Sequence, residues 1–179
     1  DSSGNGWAGT ASSTSFVPDG IDGSSYEFSA SPTYSISIPE SAEPFNNFKL
    51  GLTVSAWVKM TEPSADWSAI VAKNTANTNG WLLGISNSAQ SNGENPYFDV
   101  RGSSGLTSPN SIVDGEWHLL TATYDPANDY ESRLYVDGEL TDQSTGTSGG
   151  VFTDADVRIG DQYAVSPQFP FDGLVDDVR

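Results

Sequence analysis

The segment FDGLVDDVR, residues 171–179, crowds three aspartates and a glycine among Val and Leu. Paired carboxylates beside an apolar run can do three things: trade protons as an acid/base pair, hold a cation, or accept hydrogen bonds where a sheet closes. Asp176 and Asp177 are neighbours, and neighbours on a strand point to opposite faces. They cannot act together on one substrate atom. A carboxylate aimed into the rim of a sandwich must still be paired, metal-bound or hydrogen-bonded.

Other routes to catalysis are poorly supplied. His118 is the sole histidine and there is no cysteine, so thiol nucleophiles and three-His or Cys/His zinc sites are excluded. A Ser–His–Asp triad would rest on His118 alone, inside EWHLLTATY. Retaining glycoside hydrolysis needs two carboxyls about 5 Å apart. Among the eight glutamates, Glu40 and Glu43 lie three apart, but in SIPESAEPF, a loop broken by two prolines. No glycine loop with a following lysine suggests nucleotide phosphates. The expectation is a protein that is not an enzyme.

Charge narrows the partners. Twenty-four acidic residues face seven basic ones, a formal net charge of −17. Such a field repels nucleic-acid phosphates and anionic lipid surfaces. No run approaches the ~18 apolar residues of a membrane span. The chain opens at Asp1, with neither Met nor a basic, then apolar, leader, and reads as a mature or excised piece.

The elements that must position these groups are strands. Period-two alternation recurs throughout and helical periodicity nowhere persists. In TVSAWVKM, Val54, Ala56, Val58 and Met60 share one face, with Ser55, Trp57 and Lys59 on the other. YSISI, SAIVAK, WLLGIS, YFDVR, EWHLLTATY, SRLYVDG and DVRIG read the same way, separated by turn clusters such as NTANTNG and STGTSGG. Asp137-Gly138 predicts a type I′ hairpin. The fold class is all-β, a sandwich or barrel, in one domain over 1–179. Trp57, Trp81, Trp117, Phe28 and Phe171 are expected to fill an inter-sheet space about 10 Å thick.

The ordered set DSSGNGWAGT, GIDGSSYEFSASPTYSISIP, LTVSAWVKM, AIVAKN, GWLLGIS, GEWHLLTATYD, RLYVDGEL, VRIG and FDGLVDDVR resembles laminin-G-like, concanavalin A-type jelly rolls over essentially the whole chain. The resemblance implies two antiparallel sheets face to face, a last strand closing against the N-terminal region, and a structural place for His118. It also implies a structural calcium tying that strand to the N-terminal segment. Asp19, Asp22 and the VPDGIDG carbonyls would join Asp176 or Asp177 there, since Ca²⁺ takes six to eight oxygen ligands. The alternative is that these aspartates cap turns and accept backbone amides. The pentraxin branch of the same superfold suggests a second cation and ligand site, at Asn77 and Asn79 with Asp161 and Gln162.

Sugar recognition needs aromatic faces and planar polar groups. Tyr163, beside Asp161 and Gln162, leads the candidates for stacking, followed by Trp67, Trp7 and Tyr130; Trp67 can equally be a lid on the core. The resulting expectation is a non-catalytic, lectin-like module of a larger extracellular, secreted or cell-surface protein. It would act as a monomeric domain stabilised by calcium and bind a polysaccharide or cell-surface glycan. A structural or protein-docking domain of an extracellular adhesin is the alternative. Nucleic acid and membrane insertion are not expected.

Overall fold

The computed structural model describes residues 8–31, 33–39, 51–62, 67–75, 79–86, 94–101, 105–146, 153–162 and 169–179. Within them lie β1 (Thr10–Ser12), β2 (Ser15–Gly20), β3 (Gly23–Phe28), β4 (Ser35–Ile38), β5 (Leu52–Lys59), β6 (Ser68–Thr75), β7 (Asn79–Ile85), β8 (Pro96–Val100), β9 (Leu106–Thr107), β10 (Trp117–Asp125), β11 (Glu131–Val136), β12 (Glu139–Ser144), β13 (Val157–Ile159) and β14 (Gly173–Asp176). They form two seven-stranded sheets. Sheet I runs β1-β4-β13-β6-β7-β8-β9 and sheet II runs β12-β11-β10-β5-β14-β3-β2. The strand pairs are antiparallel. No helix among the described residues is long and apolar enough to cross a membrane.

Leu52, Val54, Ala56 and Val58 of β5 are buried, while Thr53, Ser55, Trp57 and Lys59 keep some exposure. Register carries that face outward through the sheet. Leu120 and Ala122 sit opposite Ala56 and Val54, and Leu134 sits opposite Ala122. Sheet I supplies Ile70, Trp81, Leu83, Ile85, Phe98, Val100 and Ile159 to the same core. Phe28 and Phe171 meet edge to face with centroids 6.4 Å apart. Trp81, Phe28 and Phe171 therefore fill the interior as expected. Trp57 and Trp117 do not: their register places both on the outer face of sheet II, partly exposed.

The closing strand lies against the N-terminal region, as the resemblance implies. β14 lies between β3 and β5, pairing Val175 with Tyr26 on one side and Val58 on the other. The β11–β12 hairpin turns on Asp137 and Gly138, with φ of 52° and 82°, both positive as a type I′ turn demands. Pro18, which cannot donate to a ladder, falls on the edge strand β2. Gly160 (φ +83°) ends β13 with its backbone against the Phe28 ring, where a Cβ would collide with ring carbons.

Candidate functional site

Of the predicted cation and ligand positions on sheet I, Asp161 and Gln162 are turned inward, whereas Asn79 stays on the surface. Gln162 and Asp161 follow β13 and are fully buried. Asn74, at the end of β6, meets the Gln162 amide at 3.2 Å, and Arg101 Nη2 donates to Gln162 Oε1 at 3.1 Å. Arg101 also pairs with Asp99 at 2.8 Å, and Arg158 approaches Asp161 Oδ2 at 3.5 Å. Asp161 Oδ1 accepts from the amides of Gln162 and Phe169. Burial pushes the Asp161 carboxyl upward, opposed by those amides and by Arg158. Asp99 is raised for the same reason, opposed by Arg101. Two guanidinium groups thus stand against the oxygens that the sequence reading reserved for a cation.

Asn79 opens β7 opposite Thr75 and is exposed; Asn74, not Asn79, reaches Gln162. Trp67 meets Tyr97 edge to face at 4.6 Å, next to the small cluster Ala69, Ala72 and Leu82, against which Tyr97 packs on the outer side of sheet I. Burial pushes the Tyr97 phenol up to about 12, with Asp99 adding to the shift. Trp7, Asn77 and Tyr163 lie outside the described residues.

At the N-terminal corner, Asp176 Oδ2 accepts from the amides of Ile21 and Asp22 at 2.8 and 3.3 Å. Asp176 Oδ1 accepts from the Asp177 amide, and Asp177 itself pairs with Arg179 at 2.9 Å. Asp19 binds Lys59 Nζ through Oδ2 at 2.9 Å and accepts from Trp117 Nε1 through Oδ1. The Lys59 hydrogen bond, then that of Trp117, holds the Asp19 carboxyl below its usual range. β14 and the β2–β3 turn are therefore joined by carboxylate-to-amide bonds. As a calcium cradle the set fits poorly, because its oxygens already face N–H groups. Among the described residues, no three His, Cys, Asp or Glu side chains gather as a metal site. Tyr130, exposed in the turn before β11, has a positive φ of 54° and continues the turn begun at Asp129.

His118 sits between two carboxylates, with Nδ1 2.8 Å from Asp137 and Nε2 3.1 Å from Asp114. Asp137 also accepts from the Leu119 amide. Burial works against the charged imidazolium, but Asp137 and Asp114 outweigh it and raise the His118 pKa above its ordinary value. The residue staples β10 to the loop before it and to the β11–β12 turn.

A set of surface side chains not anticipated as a site lies on the outer face of sheet II. Trp57 is flanked across the ladders by Asp176 and Leu119. Trp117 lies beside Lys59, and Tyr135 beside Thr121, which in turn faces Ser55. Thr53, Thr123 and Arg133 continue the next row. Three aromatic side chains on the adjacent strands β5, β10 and β11, each partly exposed, thus share a flat surface with hydroxyls, one lysine, one arginine and a carboxylate. The signal was available: alternation within TVSAWVKM already set Trp57 opposite the core residues.

A family model described as the concanavalin A-like lectin/glucanases superfamily, of laminin-G type, matches residues 30–179. No curated protein matches the chain. Among solved structures, the binding domain of Paraclostridial Mosquitocidal Protein 1 superposes with a TM-score of 0.72 at 15% identity, covering 98% of this chain and 44% of that one. Domain 4 of AbnA, a GH43 extracellular arabinanase from Geobacillus stearothermophilus, in complex with arabinotriose, gives 0.66 at 16% identity, covering 96% and 80%. A botulinum neurotoxin type C structure, from work on cell entry through two ganglioside molecules, gives 0.67 at 13% identity, covering 97% and 43%. The chain spans less than half the length of the mosquitocidal and neurotoxin chains it resembles.

Proposed function

The chain belongs to the concanavalin A-like lectin/glucanase superfamily, and from that premise we propose that it is a non-catalytic glycan-binding module whose ligand lies along the outer face of sheet II. The observation that carries this reading is the partly exposed trio Trp57, Trp117 and Tyr135 on neighbouring strands, interleaved with Ser55, Thr121 and Thr123. Aromatic faces take the C–H sides of sugar rings, and the alcohols meet their hydroxyls. A net charge of −17 favours a neutral polysaccharide over an anionic one. Extracellular placement within a larger protein belongs to the same proposal, supported by the kinds of domain the fold resembles.

Binding on an open sheet is shallow, so single-site affinity is weak and tethering beside other binding sites supplies avidity. Affinity electrophoresis through gels containing neutral polysaccharides tests the reading. Retardation that is lost in Trp57→Ala supports it. Free mobility in every gel, or release of reducing ends on incubation, overturns it.

Calcium is a separate proposal that rests on the resemblance, with Asp19, Asp22, Asp176 and Asp177 as the ligands it implies, although among the described residues these carboxylates do not gather as a metal site. An ion there would have to displace Lys59 from Asp19 and the Ile21 and Asp22 amides from Asp176. A ligand bound only to the native state raises the melting temperature by mass action. Excess chelator therefore lowers the melt if the proposal holds, and an unchanged melt removes it.

A further inference from the structure

A cavity of about 750 Å³ opens between the two sheets at the end where β14 stops. Its walls come from both inner faces, with Ile36, Val71 and Val157 from sheet I and Phe28, Val54 and Val175 from sheet II. The volume falls within the range of small-molecule sites, roughly 300–1,000 Å³, which are mostly apolar with a few polar groups. An apolar space gives water few partners and accepts apolar ligands instead. Apolar surface also continues outward from it. Phe16, 67% exposed, lines the cavity and stacks on Tyr26 at 4.1 Å, and Ile21 on the adjoining turn is 44% exposed. The two carboxylates at the rim are committed to other partners: Asp176 to the amides of Ile21, Asp22 and Asp177, and Asp177 to Arg179.

We propose that this cavity binds the alkyl chain of a neutral amphiphile, with the chain between the sheets and the head group at the Asp176–Arg179 rim. Apolar walls select the tail, and the net charge of −17 disfavours an anionic head. This site is at the sandwich end and is independent of the glycan reading on the outer face of sheet II.

The test is fluorescence titration with N-phenyl-naphthylamine, a neutral apolar probe, followed by displacement with monododecanoylglycerol below its micelle concentration. Saturable probe binding and displacement by the acylglycerol are expected. Ser24→Trp and Ala8→Trp place bulk at lining positions that are solvent-exposed, so they narrow the entrance without entering the core. Each should weaken the probe by about tenfold or more, roughly 1.4 kcal/mol per tenfold, at unchanged melting temperature and unchanged polysaccharide retardation. Absence of saturable binding, or binding that both variants leave intact, overturns the proposal. Displacement by an alternating apolar peptide but not by the acylglycerol also overturns it, and would identify an added strand as the occupant.

Discussion

Trp57 and Trp81 offer a comparison in which residue type is held constant and only the face of the sandwich changes. Trp81 is 3% exposed and belongs to the inter-sheet core with Leu83 and Val100. Truncating it to alanine removes buried apolar surface and leaves a void, a combination that costs about 3–5 kcal/mol for large aromatic residues. Each kcal/mol lowers the melting temperature of a domain this size by roughly 2–4 °C, so Trp81→Ala should melt roughly 6–20 °C lower. Trp57 sits on the outer face beside Leu119 and Asp176. Its truncation leaves a dent that water fills, with no enclosed cavity, and should cost about 1–2 kcal/mol. Polysaccharide binding should respond the other way. Trp57→Ala should lose tenfold or more, as expected when a stacking contact of about 1.4 kcal/mol goes, whereas folded Trp81→Ala should bind as the parent does. Differential scanning fluorimetry and affinity electrophoresis read the two quantities on the same samples. If Trp57→Ala is destabilised as much as Trp81→Ala, or binds polysaccharide undiminished, the assignment of faces to functions is refuted.

Two further outcomes follow from particular contacts. His118 has its folded pKa raised by Asp137 and Asp114 against burial, so its contribution is full below the unfolded value of about 6.5 and is lost as pH rises through the folded one. The melting temperature should therefore be higher at pH 6 than at pH 9, and His118→Gln should remove that difference; an equal slope in the variant would show that other groups cause it. Gly160→Ala should lower stability in urea unfolding by about 2–4 kcal/mol, because a positive φ and a collision with Phe28 act together. A variant as stable as the parent would mean that Phe28 can move aside.

What was legible in the residues depended on whether the signal was local. The core face of β5 and the Asp-Gly hairpin are readable, since period two and turn chemistry are properties of a few consecutive residues, whereas the place of the closing strand is legible only through the family resemblance. The rule that strand aromatics point inward fails for Trp57 and Trp117, and alternation within TVSAWVKM itself turns Trp57 outward. Asp161 and Gln162 look like ordinary turn residues, and local sequence says nothing of Arg101, which arrives from the end of β8 to bond Gln162. Likewise, the pairing of Asn74 rather than Asn79 with Gln162 depends on where β6 lies beside β13. The sequence leaves calcium or hydrogen bonds open at the Asp176 corner, and the described contacts there are hydrogen bonds from the Ile21 and Asp22 amides.

The position of β14 bears on how the protein can be made. This strand follows all the others in sequence, yet it lies inside sheet II, with β2 and β3 on one side and β5, β10, β11 and β12 on the other. During synthesis the β2–β3 hairpin therefore has no attachment to the rest of its sheet until residues 173–176 leave the ribosome. Until then the edges of β3 and β5 that β14 will cover remain open to pairing with other chains, and the contacts that close them span nearly the whole sequence, the kind that form slowly. Translation paused before Gly173 should thus yield a nascent chain with a protease-sensitive N-terminal hairpin and an unfinished sheet.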